Sequence, residues 1–152
     1  MLLVLALLIG VVAGLRALTA PAAVAWAASL GWFDISQTPL AFLGYQWTPW
    51  ILTLLAAGEF VADQLPGTPS RKVPMQFGAR LVSGALSGGA IGAAGGSLWL
   101  GVIAGIIGAV IGTYGGAAVR TRLAASFGRD LPAGILEDVV AVVAAVLIVS
   151  AV

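Results

Sequence analysis

The sequence predicts an all-α membrane protein of about five transmembrane helices in a single domain over residues 1–152, and three observations lead there. The chain is 61% hydrophobic and only 9% charged, with a mean hydropathy of +1.09, whereas soluble domains are about a quarter charged. Its apolar residues fall into runs close to the roughly 20 residues that a bilayer crossing needs. Its glycines recur at four-residue spacing inside two of those runs, as in closely packed membrane helices. The lipid bilayer is the first expected partner.

The runs are Leu2 to Leu30, Pro49 to Gln64, Met75 to Ala94, Leu98 to Val119 and Leu131 to Val152. The first contains Gly14, Arg16, Thr19 and Pro21 mid-span, and Pro lacks a backbone donor, so a kinked or broken first helix is expected. Although this stretch ends in small residues like a secretory signal, it lacks a basic n-region and Arg16 interrupts its apolar run. It therefore reads as a retained first span. The segment from Gly31 to Thr48 carries Trp32, Phe33, Tyr45 and Trp47, followed by Trp50. That aromatic density suits a headgroup belt and predicts a loop with a short interfacial piece.

The third and fourth runs carry Gly84, Gly88, Gly92 and then Gly101, Gly105, Gly108, Gly112. With a very short connection they predict a glycine-rich helical hairpin packed backbone to backbone. A second glycine face is available for a homodimer, and five short spans make a bundle thin enough for a dimer to complete any pathway. The cluster Gly128, Asp130 and Pro132 predicts a helix stop and a fresh start. A weak internal echo, Gly14-Leu-Arg16-Ala-Leu-Thr19-Ala20 against Gly78-Ala-Arg80-Leu-Val-Ser83-Gly84, hints at duplication.

Arg71, Lys72, Arg120, Arg122 and Arg129 collect on one side of this topology, and only Asp34 charges the other. The positive-inside rule then expects a cytoplasmic amino terminus in a bacterial inner membrane. A net charge of +1 without a basic run argues against nucleic acid as a partner. No Cys or His is present, which removes thiolate chemistry, imidazole bases and the common zinc, copper and haem ligand sets. No cofactor is expected, and a bound metal would have to be a hard, oxygen-liking cation. An intramembrane enzyme lacks a credible nucleophile and base, so none is expected.

The charges within the spans carry what chemistry there is. Glu59, Asp63, Glu137, Asp138, Arg16 and Arg80 lie in stretches otherwise apolar enough to cross a bilayer, where each ionised group costs at least about 2.5 to 3.5 kcal/mol. Glu59 and Asp63 stand one above the other at i and i+4, with Pro66 just beyond, and repel unless a cation, proton or arginine lies between them. Glu137 and Asp138 point about 100° apart, so they are not expected to face one neighbour squarely, and both suit the positive end of a helix dipole. Arg80, Ser83 and Ser87 form a polar stripe, joined by Thr19 as polar lining. Four carboxylates against two arginines leave an excess of negative charge. The expected function is a small transporter or channel in which Glu59, Asp63, Glu137 and Asp138, balanced by Arg16 and Arg80, line a path for a cation or proton. The rival is a membrane scaffold or accessory subunit whose charges are structural salt bridges, with Glu59 neutralised by Arg16 or Arg80.

At the Gly-Leu-Arg16 element, the Glu59-Phe-Val-Ala-Asp63-Gln-Leu-Pro66 element and the Gly-Ala-Arg80-Leu-Val-Ser-Gly-Ala element, the chain resembles a bacterial family of small polytopic integral membrane proteins catalogued as a domain of unknown function. The similarity runs through nearly the whole chain. In that family Lys often follows the Asp and an acidic residue follows the second Pro, where Gln64 and Ser70-Arg71 stand here. The resemblance implies a polytopic fold and a weakened cytoplasmic cation site, and brings no established activity.

Overall fold

A computed structural model of the chain describes residues 1–63, 74–128 and 130–152, with the side chains of 62, 63, 74, 130 and 131 outside the described set. The described residues form six α-helices: α1 (Leu2–Leu15), α2 (Thr19–Ser29), α3 (Thr48–Asp63), α4 (Pro74–Ala94), α5 (Leu98–Phe127) and α6 (Asp130–Ser150). A 3-10 turn, Ala41–Gly44, interrupts the connection between α2 and α3. Two helices are long and apolar enough to cross a membrane, α5 and Pro132–Ser150 of α6, while Leu2–Leu15 and Thr48–Val61 are shorter apolar helices.

The first apolar run is two helices. Arg16 closes α1 with its amide still bonded to the Val12 carbonyl at 2.8 Å, then turns the chain with extended backbone (φ −142°, ψ 117°). Pro21 is the third residue of α2. There its missing N–H and fixed φ suit a helix start, so this proline belongs to a beginning rather than to a mid-helix kink. At the far end of α2, Gly31 adopts φ +81°, and the Trp32 amide bonds back to the Ala27 carbonyl at 2.9 Å. This left-handed cap needs a residue without a Cβ.

Three helices form the centre. α1, α4 and α5 pack mutually, with α6 laid against α1, α2 and α5. A Cβ added at Gly105 would strike the Gly84 backbone of α4, and one added at Gly10 of α1 would strike the Gly105 backbone in turn. Further along, Gly88 faces Gly101 between α4 and α5, while Gly108 and Gly112 of α5 face the Leu7 and Val11 backbone of α1. Both glycine faces of α5 are thus consumed within the chain. One of them holds α1, because Gly10 and Gly14 give α1 a matching flat side. Side chains of Leu5, Ile9, Val12 and Ile91 fill the remaining core.

α3 stands apart, resting on α2 and the 3-10 turn. Trp26 fastens it: its Nε1 donates to Thr53 Oγ1 at 2.7 Å, and its ring meets Trp50 edge-on at 5.0 Å. The α2–α3 connection buries Ile35, Leu40 and Leu43 while exposing Trp32, Tyr45 and Trp47. Within it Asp34 accepts from the Ser36 amide at 2.9 Å, and hydrogen bonds from Ser36 hold its carboxyl below the usual carboxylate range. The two Gly-x-Arg elements differ locally, since Arg16 is extended between helices and Arg80 lies within α4.

Candidate functional site

Ending one helix and starting another inside the core leaves backbone groups without helical partners. Each such buried group costs on the order of 1–3 kcal/mol if left unmet. Side chains from two other elements, α3 and α4, and from the break itself meet them. Arg80 of α4 donates through Nη1 to the Gly14 carbonyl at 2.8 Å, and Ser83, one turn further along, donates to the Ala17 carbonyl. Arg16 donates from Nη1 to its neighbour's carbonyl, Leu15 O, at 3.0 Å. From α3, Glu59 accepts the Ala17 amide at Oε2 (3.0 Å) and the Leu18 amide at Oε1 (3.1 Å). A carboxylate at the two amides that lead into α2, the second of them at its N-cap Leu18, also meets the positive end of that helix dipole.

The Arg16 guanidinium itself is fully buried and reaches α6. Its Nη1 meets Glu137 Oε1 at 2.6 Å, and its Nε meets Asp138 Oδ1 at 2.5 Å. Adjacent helical residues were not expected to share one partner squarely. They do so because the guanidinium is a rigid fork whose Nε and Nη1 edges point in different directions, matching two carboxylates about 100° apart on the helix. Glu137 is buried and Asp138 half-buried, so both face the break.

Glu59 departs from the scaffold reading's neutralisation by Arg16 or Arg80. It forms no ion pair among the described residues, and its partners are the two backbone amides. The pair it was to form with Asp63 cannot be described, because the Asp63 side chain lies outside the described residues; the backbone of Asp63 ends α3. Ser87 is fully buried in α4, and its hydroxyl has no partner among the described residues. Thr19 is equally orphaned and lines a different space, a cavity of about 270 Å³ between α2, α3 and α6 beside Trp26 and Thr53. Among the described residues no three acidic side chains converge as a metal-binding group would.

The larger space is a cleft of about 550 Å³ between α3 and α4, floored by α2. Glu59 and Ser83 stand on its wall, with Leu43, Leu52, Val82 and Leu86 supplying apolar surface. A second cavity, about 410 Å³ between α1, α5 and α6, carries Glu137 and Arg120. Three contributors escaped the sequence reading: the Ala17 and Leu18 amides, and Arg120, which was assigned only to topology. Reading Pro21 as an early helical residue would have revealed the free amides. Arg120 carried no signal, because whether α5 continued past Val119 was not visible from hydropathy.

A family model described as a domain of unknown function (DUF4126) matches residues 3–151. No curated protein and no solved structure matches the chain.

Proposed function

We propose, starting from a chain that belongs to the family of the domain of unknown function DUF4126, that it is a small integral membrane transporter or channel passing a cation or proton by way of Glu59. Two apolar helices of crossing length support the membrane reading. So do the large apolar residues exposed along α5 and α6, among them Ile103, Ile107, Val139 and Leu147. Taking α1 and α2 together as one passage gives five, with α5 projecting its Arg120 and Arg122 end toward the cytoplasm of a bacterial inner membrane and the amino terminus on that same side. Gly115, with open space beside it, is the position left for close helix approach in a homodimer.

The observation that carries the reading is the broken helix beside the cleft. Interrupted helices supply ion and solute sites because their ends expose oriented backbone groups, and here a carboxylate that among the described residues has backbone amides and no arginine for partners stands at one such end and lines a space of about 550 Å³. The test is ion flux in liposomes under proton and alkali-cation gradients. Wild type is expected to pass one of them, and Glu59→Gln to lose roughly tenfold or more of that rate, the scale of removing one well-placed charge from a polar path. Absence of flux from folded wild-type protein under every gradient sinks the reading.

The Arg16 pairings favour a second reading, in which the chain is a scaffold or accessory subunit. Glu137 and Asp138 are both closed by one guanidinium, an arrangement suited to fixing helices and poorly suited to exchanging ions. Under this reading Glu59→Gln alters stability alone.

A further inference from the structure

We infer that the cleft between α3 and α4 takes an organic cation with an apolar body, the ammonium or phosphonium centre seated against Glu59. The inference rests on the reading of Glu59 as the cation-binding carboxylate and names its ligand class. A bare metal cation needs several oxygen ligands to replace its hydration shell, and no three acidic groups converge among the described residues. Among the described residues the cleft offers instead one carboxylate, the Ser83 hydroxyl and Gln76, set in a wall that is otherwise apolar apart from Thr48. Leu43, Leu52, Val82 and Leu86 provide surface that only an apolar ligand body repays.

Charge and size agree with that occupant. The two amide bonds use one lone pair on each Glu59 oxygen, and a carboxylate has about four acceptor sites, so capacity for a cation remains. Backbone amides are neutral and leave the negative charge in place. An apolar, weakly hydrated cation is cheap to bring to such a site, whereas a strongly hydrated one is not. The volume of about 550 Å³ falls within the roughly 300–1,000 Å³ of small-molecule sites. Val82 and Phe42 on the cleft are more than half exposed, so a ligand dissolved in the surrounding apolar phase can enter from the side between α3 and α4.

The probe is tetraphenylphosphonium, titrated by calorimetry into the full chain in lipid nanodiscs, with neutral triphenylphosphine oxide beside it. Saturable binding of the cation is expected, with affinity at least about tenfold weaker in E59Q and similarly weaker in V82W, which fills the cleft and leaves Glu59 untouched. The neutral compound is expected to bind at least about tenfold more weakly than the cation. Absence of saturable binding, equal binding of the neutral compound, or undiminished binding in V82W overturns the inference. V82W decides the matter if E59Q does not fold. Alkali-cation flux without phosphonium binding would leave the transport reading standing and remove this one; phosphonium binding at Glu59 without any flux would do the reverse.

Discussion

Gly105→Ala is expected to destabilise the fold by about 3 kcal/mol, near the upper end for overpacking a core, whereas Gly115→Ala, ten residues along the same helix, is expected to be neutral or to stabilise by up to about 1 kcal/mol. The difference lies in what the new methyl meets. At Gly105 it meets the Gly84 and Gly88 backbone, which cannot rotate aside as a side chain can, so α4 and α5 must separate. α1 is wedged against the same point through Gly10, so the separation reaches all three central helices. At Gly115 nothing of the chain itself lies within 4 Å, so in the detergent-dispersed monomer alanine simply has the better helix propensity. Thermal unfolding in one detergent measures both. Equal melting temperatures for the two variants would mean that the three-helix seam does not hold the molecule together.

That contrast also marks how far the sequence could be read. Four-residue glycine spacing announced a close α4–α5 approach, because period and residue size alone determine a flat helix face. It did not say which flat face meets which. Gly108 and Gly112 were grouped with the α4–α5 hairpin, since their partner, the α1 backbone around Leu7 and Val11, lies about a hundred residues earlier in the chain and is itself mostly bulky. Of the matching glycines of α1, Gly14 was read as a break in the run and part of a repeat, and Gly10 was not singled out. Pairing of flat faces is a long-range choice, and hydropathy is a local quantity.

The site was legible as a set of residues and illegible as a set of bonds. Cost picked out Arg16, Glu59, Arg80, Glu137 and Asp138: charged groups in apolar helices need partners, wherever those are found. Counting by sign left two carboxylates in excess of the arginines, and only the scaffold reading gave Glu59 to Arg16 or Arg80. What counting missed is that a broken helix brings charges of its own kind, in the exposed ends of its backbone. Glu59 satisfies the positive end of α2 and Arg80 a carbonyl at the end of α1, so neither needed the other. Thr19 misled for a related reason. It was grouped with the polar stripe by residue type, whereas the start of α2 turns it toward α3 and α6, where it lines another cavity.

Arg16→Met is expected to be the most damaging single change at the break, at about 3–5 kcal/mol, because it leaves Glu137 and Asp138 in place without the guanidinium that joins them. Arg16→Lys is expected to recover little of this loss. One ammonium cannot present donors along both the Nε and Nη1 edges while also meeting the Leu15 carbonyl. Neutralising the acids should help far more than restoring a positive charge: Arg16→Met combined with Glu137→Gln and Asp138→Asn is expected to regain at least about half of the loss, since burying an amide is cheaper than burying a carboxylate that has lost its guanidinium. Unfolding midpoints of the three variants order these terms. If the triple variant is no more stable than Arg16→Met alone, the damage comes from the lost backbone cap and packing at the break. In that case the ion pair to α6 contributes little to holding α1 and α6 together. If it recovers as expected, the Arg16 cluster is a clasp between helices, and Glu59 is left, among the described residues, as a carboxylate held by backbone amides and not by an arginine.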